Sequence, residues 1–246
     1  MGAIYAHLLP ALVSGETLAG GAVVVIDVLR ASTTVVAALN AGAPEVIPCL
    51  EVADALRRRS ELGGGVLGGE RHGQRIPGFD LGNSPADYSP WPAERSGQSI
   101  IFTTTNGTRA LLAAEQARSI WIGCFANLSA VVDRAAREPD VHLLCAGTDG
   151  QVTAEDVLFA GAVADRLEAA GGQTANDSAR MARDLWRAGA VAADREAWLV
   201  EQMLLSQGGR NLVELGMESD VRWAAVIDRC SVVPAYDRQR GVIRVA

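Results

Sequence analysis

Short runs of β-branched residues alternate along this chain with longer stretches rich in Ala, Leu and Arg, and this alternation limits the fold more than any other feature. AVVVIDV (22–28) is apolar except for one acid, which predicts a strand buried on both faces. STTVVAALNAG (32–42) reads as a helix stopped by Asn-Ala-Gly. EVIPCL is a second strand, weakened by Pro48, and VADALRRRSELGGG is a helix that runs into a glycine exit. VLGGE (66–70), QSIIFTT (98–104), SIWIGCF (119–125) and VHLLCAG (141–147) continue the strand series. The last three are followed by helical patterns, the final one spanning 154–170. Strand–helix alternation of this kind predicts an α/β fold, layered α/β/α around a largely parallel or mixed sheet.

Two stretches break the rhythm. Residues 70–97 are rich in Gly, Pro, Asp and Ser, and loops this long inside compact domains are usually functional or disordered. Residues 174–225 read as nearly all helical, opening at Thr174-Ala-Asn-Asp177 in the manner of a capping box. SVVPAY and GVIRVA, on either side of Asp237-Arg-Gln-Arg-Gly241, read as a hairpin. The expectation is one domain over 1–246, with extra helices in its C-terminal third.

Composition excludes several chemistries. All 22 basic residues are Arg, so a Schiff-base lysine, a P-loop lysine and a kinase strand lysine are all ruled out. A net charge of -7 gives no basic excess for displacing counterions from nucleic acid, so no nucleic-acid partner is expected. No apolar run approaches the length of a membrane span, and the first residues lack the positive segment of a signal peptide. Cys49, Cys124, Cys145 and Cys230 are widely spaced, as expected of reduced core thiols in a cytoplasmic protein.

In open α/β sheets, ligands bind beyond the carboxyl ends of strands, and four strand ends here carry polar clusters. The first gives Asp27 followed by Arg30-Ala-Ser32-Thr33-Thr34, and another gives Glu70-Arg71-His72-Gly73. A third gives Thr103-Thr104-Thr105-Asn106-Gly107-Thr108-Arg109. The last gives Cys145-Ala-Gly-Thr148-Asp149-Gly, with Glu155 and Asp156 at the next helix start. Asp27 is costly to bury unless it is paired or binds a cation, so it is read either as a cap or ion-pair partner of Arg30, or as a metal ligand or nucleophile. Thr104, Thr105, Asn106, Gly107 and Thr108 could cap a helix or cradle phosphate at its N-terminus. Glu155 and Asp156 suit any first helical turn, and Arg57-Arg58-Arg59 suits a solvated helix face.

Familiar hydrolase motifs fit poorly. Arg71-His72-Gly73 spells the RHG of histidine phosphatases but follows a later strand, and the candidate partner His142 lies in an apolar run. Asp27-Val-Leu29 lacks the second Asp of the aspartyl phosphatases. No cysteine is followed six residues on by Arg, and no Gly-x-Ser-x-Gly occurs. Metal-assisted chemistry on carboxylates and arginines is what remains.

VVVIDVLRASTT, GGERHGQRIPGFDLGNSP, TTTNGTRAL and CAGTDGQVTAEDVLFAG occur in that order, and together they resemble the 2-phosphosulfolactate phosphatases, the ComB-like phosphatases of coenzyme M biosynthesis. The similarity runs from about residue 20 to 170 and continues more weakly through SQGGRNLVELG. The resemblance implies Mg²⁺-dependent hydrolysis of a phosphate monoester of a 2-hydroxy acid, releasing 3-sulfolactate and phosphate. It also implies a small anionic phosphoester as partner, a ComB-like fold, and a chain that could pair as a homodimer. On this reading Asp27, Glu70, Arg30 and Arg71 are the catalytic candidates. Thr104–Thr108 and Arg109 would hold substrate, with Arg30, Arg71 and Arg109 dividing its oxyanions. Asp27, Glu70, Glu155 and Asp156 are the candidate Mg²⁺ ligands, with a metal-bound water or Asp27 itself as nucleophile. The alternative is a non-catalytic binder of a small organophosphate or sulfonate, or a phosphatase of another 2-phospho acid.

Overall fold

The computed structural model describes residues 2–189, 192 and 194–246. Its strands are β1 (Ala3–His7), β2 (Ala22–Ile26), β3 (Val46–Pro48), β4 (Val66–Arg71), β5 (Gln74–Arg75) and β6 (Ile100–Thr103). They continue with β7 (Ser119–Gly123), β8 (Asp140–Cys145), β9 (Gln173–Thr174), β10 (Pro234–Asp237) and β11 (Val242–Val245). The helices are α1 (Gly15–Leu18), α2 (Ala31–Asn40), α3 (Val52–Glu61), α4 (Gly107–Ala113) and α5 (Leu128–Ala135). After them come α6 (Ala154–Ala169), α7 (Asp177–Ala188), α8 (Arg195–Leu205), α9 (Gln207–Glu214) and α10 (Glu218–Ala224). No helix among the described residues is long and apolar enough to cross a membrane.

All strands join one ladder in the order β5-β4-β6-β3-β11-β10-β7-β2-β8-β1-β9. Two parallel blocks, β4-β6-β3 and β7-β2-β8-β1-β9, are joined through the antiparallel pair β10-β11. The joints are narrow. Ala235 pairs with Trp121 on one side, and Ile243 with Val46 on the other. This is a mixed α/β sheet with helices on both faces.

Side-chain alternation explains why β2 is apolar throughout. Ala22, Val24 and Ile26 face a core built with α5, α6 and α7, while Val23 and Val25 face a second core under α2 and α4. That second core also receives Val46, Ile100 and Phe102 from the other block, and Ile243 from the hairpin. The sheet therefore folds around α2 and α4, and the carboxyl ends of β2, β4, β6 and β8 come to border one pocket. A third core under α3 collects Ala55, Leu67, Ile101 and Phe79.

The irregular stretch 70–97 is well packed: Ile76 and Phe79 are buried, and the fully buried Tyr88 donates to the Gly82 carbonyl at 2.7 Å. The helical third covers the other face. A Cβ at Gly161 would lie 2.0 Å from the Ala182 carbonyl oxygen, so α6 and α7 touch backbone to backbone there. The expected capping box at Thr174 is not formed. Asn176 caps α7 instead, accepting from Ala179 N at 3.0 Å. The same side chain bonds Ala6 N and O, extending the sheet edge past the end of β9. Strand β1 was not expected, because AIYAH mixes its apolar residues with Tyr5 and His7. Those polar groups have a partner: His7 Nε2 lies 3.0 Å from His142 Nδ1, and Tyr5 stacks on His142.

Burial, aided by the neighbouring His142, holds His7 down at about 4. A histidine kept neutral in the fold but free to charge when unfolded makes stability fall as pH drops from about 6.5 toward 4. Thermal melts from about pH 7 to about 4.5 should show that fall, and His7→Gln should make it shallower. An unchanged slope would assign the acid sensitivity to other groups.

Candidate active site

The first turn of α2 is built around Asp27. Its Oδ1 accepts from Ala31 N at 3.2 Å, while its own N–H donates to Ser32 Oγ at 2.9 Å, a reciprocal pair that starts the helix. Thr33 Oγ1 donates to the Val28 carbonyl at 2.7 Å, which fixes the strand-to-helix turn. Asp27 thus caps α2 and does not pair with Arg30. Its second oxygen, Oδ2, has no hydrogen-bond partner among the described residues. Oδ2 lies only 2.9 Å from where a Cβ at Gly107 would sit, so the glycine lets α4 approach.

The RHG triplet has a conformational explanation. Arg71 pairs with Gln74, and between them His72 and Gly73 take φ of 53° and 77°, the two positive values of a type I′ hairpin turn. Thr148-Asp149-Gly150-Gln151 repeats the device, with φ of 52° and 74° at Asp149 and Gly150. Both turns stand at the rim of a cavity of about 220 Å³, bordered by Asp27, Arg30, Glu70, Asn83, Thr104, Thr105 and Asn106. Residues 208–215, mainly from α9, close its other side.

The four acids named from the sequence do not form one ligand set; among the described residues no three Asp, Glu, His or Cys side chains are grouped to hold a metal ion. The reason is that two of them commit both oxygens to the main chain. Asp156 accepts from Val28 N at 2.8 Å and from Gly147 N at 3.0 Å, tying the end of β2 to the end of β8. Glu70 accepts from Gly73 N and from Thr105 N, both at 2.7 Å, tying the β4-β5 turn to the loop after β6. Glu155 is 1 % exposed and lies behind Gly208, and its Oε2 is buried without a partner. Burial raises Glu155, and burial followed by repulsion from Glu155 and Asp27 raises Asp156 well above the usual carboxylate range. Asp27 is pushed up to about 7, chiefly by burial and then by Glu70 and Glu155.

The arginines separate as well. Arg30 is 4 % exposed and borders the cavity. Its Nη1 donates to Asp220 Oδ2 at 2.7 Å and to Met217 Sδ at 2.9 Å, and its Nη2 donates to the Gly73 carbonyl at 2.6 Å. A guanidinium has five N–H donors, so Nε and one Nη2 hydrogen remain as a fork. Arg71, expected beside it, turns outward to the carbonyls of Glu70 and Leu50 and to Thr103 Oγ1. Arg109 is exposed on α4 and does not border the cavity.

Thr104, Thr105 and Asn106 border the cavity as expected, but Gly107 and Thr108 face a small apolar gap beside Phe102 and Leu111. Sequence reasoning passed over Asn83, which borders the cavity with its Oδ1 buried and unpaired. GNSP carried that signal, since an Asn before Ser-Pro reads only as a turn until its neighbours are known. Cys145 is a buried free thiol, raised well above its ordinary range by burial and by Asp156 and Glu155.

A Mg²⁺ ion suits this donor chemistry. Mg²⁺ is held by one or two carboxylates together with waters and substrate phosphate, so it needs no three-carboxylate cage. Asp27 Oδ2 is free, and Thr105 Oγ1 and Asn83 Oδ1 are buried oxygens without partners. The bordering acids Asp27, Glu70, Asp149 and Glu214 outnumber the one arginine.

Such a site is made of carboxylates and one arginine, with no exposed thiol and no lysine for covalent catalysis. The profile of the 2-phosphosulpholactate phosphatase family matches residues 7–239. Proteins named probable 2-phosphosulfolactate phosphatase are similar along most of their length. That of Thermotoga petrophila is 42% identical over 213 residues, covering 86% of this chain and 87% of its own. That of Symbiobacterium thermophilum is 38% identical over 232 residues, covering 93% and 96%. That of Caldanaerobacter subterraneus is 37% identical over 227 residues, covering 91% and 90%. The chain belongs to the 2-phosphosulpholactate phosphatase family.

A carboxyl raised in the fold costs stability as pH climbs from its unfolded value near 4 up to about 7, and the loss then levels off. In cation-free buffer at about pH 8, Asp27→Asn keeps an oxygen for Ala31 N and removes the charge. It should therefore raise the thermal midpoint by about 2–6 °C. A lower midpoint would mean that the charge-assisted cap outweighs the repulsion.

Proposed function

We propose that this protein hydrolyses the phosphate monoester of a small 2-hydroxy acid, with 2-phospho-3-sulfolactate as substrate and 3-sulfolactate and phosphate as products, as in coenzyme M biosynthesis. The observation that carries the reading is that a carboxylate with a free oxygen, Asp27, and an arginine with a free fork, Arg30, border the same cavity. The names of the family and of its relatives supply the substrate class.

The chemistry breaks the bond between phosphorus and the ester oxygen, forms one from phosphorus to water oxygen, and returns a proton to the 2-hydroxyl. Arg30 supplies two parallel N–H groups to a substrate oxyanion, which fixes its orientation. Thr104, Thr105 and Asn106 offer hydroxyl and amide groups at the opposite wall, where Glu70 holds the Thr105 backbone in place. Asp27, with the unpaired oxygens of Asn83 and Thr105, would hold Mg²⁺. When bound, that ion offsets the acid excess of the cavity and stabilises charge on the phosphoryl oxygens. The His72 and Asp149 turns and α9 surround the ester and limit water around it.

Phosphate release should be measured from 2-phospho-3-sulfolactate, phospholactate and phosphoglycolate, with Mg²⁺ and with EDTA. Release should require the cation, and Asp27→Asn should lower it by about 10²-fold or more. Release insensitive to EDTA would remove the metal from the mechanism. Tight binding of these esters without turnover would make the protein a binder.

A further inference from the structure

Arg30 and Asp220 are 190 positions apart in the chain, yet they form a buried ion pair at 2.7 Å, with side chains 3 % and 4 % exposed. Asp220 sits on α10, which carries none of the strand-end motifs. Its other oxygen, Oδ1, accepts from Ser84 Oγ at 2.6 Å. Ser84 follows Asn83, whose residue is 4 % exposed and whose side-chain Oδ1 is buried without a hydrogen-bond partner among the described residues. One helical turn after Arg30, Thr34 donates its hydroxyl to the Asn83 carbonyl at 2.9 Å and its N–H to the Arg30 carbonyl at 2.9 Å. Arg30 and Asn83 are thus joined twice, through Thr34 and through Asp220.

We infer that Asp220 is a positioning residue that holds the Arg30 guanidinium in place as the oxyanion subsite of the cavity. The inference rests on the hydrolase reading above and adds to it the part that grips the substrate. Arg30 borders the cavity and is buried. With Nη1 filled by Asp220 and Met217, and Nη2 partly filled by Gly73, the guanidinium cannot rotate without breaking buried bonds. Its Nε and one Nη2 hydrogen have no partner among the described residues, which leaves N–H donors for a substrate oxyanion. That oxyanion is either the transferring phosphoryl group or the acid group on the neighbouring carbon.

The test uses the full chain and two probes that need no turnover, inorganic phosphate and 3-sulfolactate, titrated calorimetrically in Mg²⁺. Asp220→Asn is expected to weaken at least one probe by about 10-fold or more and to raise KM more than it lowers kcat. The probe that weakens identifies the group held. In an Arg30→Gln background, Asp220→Asn should add less than about 2-fold, because its effect passes through Arg30. Ser84→Ala, milder and retaining the ion pair, should weaken the same probe by about 2-fold or more, and it keeps the test available if Asp220→Asn does not fold. Unchanged affinity for both probes in the variants, or effects of Asp220→Asn and Arg30→Gln that multiply, would overturn the inference. Absence of turnover of every ester by the unaltered protein, with these affinity changes intact, would count against the hydrolase reading alone.

Discussion

Carboxylates that accept main-chain amides hold the strand ends together, and the shape of the cavity depends on them. Asp156 joins the chain after β2 to the chain after β8, Glu70 joins the β4-β5 turn to the loop after β6, and Asp27 begins α2. Each bond satisfies a main-chain N–H with a carboxyl oxygen. The same arrangement buries carboxyls in a region of low dielectric; burial raises Asp27, Glu155 and Asp156, and neighbouring acids add to it at Asp27 and Asp156. The side chains that give the loops their course thus also set the charge of the cavity.

The fold was largely legible because β-branched runs buried on both faces leave no polar alternation to confuse them, as in AVVVI. The site was legible only as far as its polar residues gather at strand ends. Asp27, Arg30, Glu70 and Thr104–Asn106 do come together, because the carboxyl ends of parallel strands sit beside helix starts in any α/β sheet. Periodicity could not separate an acid that faces the cavity from one that faces a backbone amide, as Asp156 does. Nor could it distinguish Arg30, whose partner lies on α10, from Arg71 and Arg109, which point away. Contacts between residues 190 positions apart leave no local trace.

RHG illustrates the same limit from the other side. As a motif it suggests a histidine nucleophile, yet its geometry is that of a tight hairpin turn in which Gly73 must take a positive φ. A Cβ at Gly73 would also meet Leu215 Cδ1 at 2.5 Å. The triplet therefore reflects turn chemistry and close packing against the end of α9, and His72 stands at the cavity rim for that reason.

The hairpin β10-β11 is made from the final stretch of the chain but lies in the middle of the sheet, between β3 and β7. The centre of the sheet is thus the last part to be synthesised. Until it arrives, the Val- and Ile-rich strands β3 and β7 each have a bare edge, and bare edges invite pairing with other chains. The hairpin is the small wedge that unites the two flanks, which share no strand pairing of their own among the described residues. A chain cut before residue 234 would lose the strands that join its two half-sheets, rather than a dispensable tail.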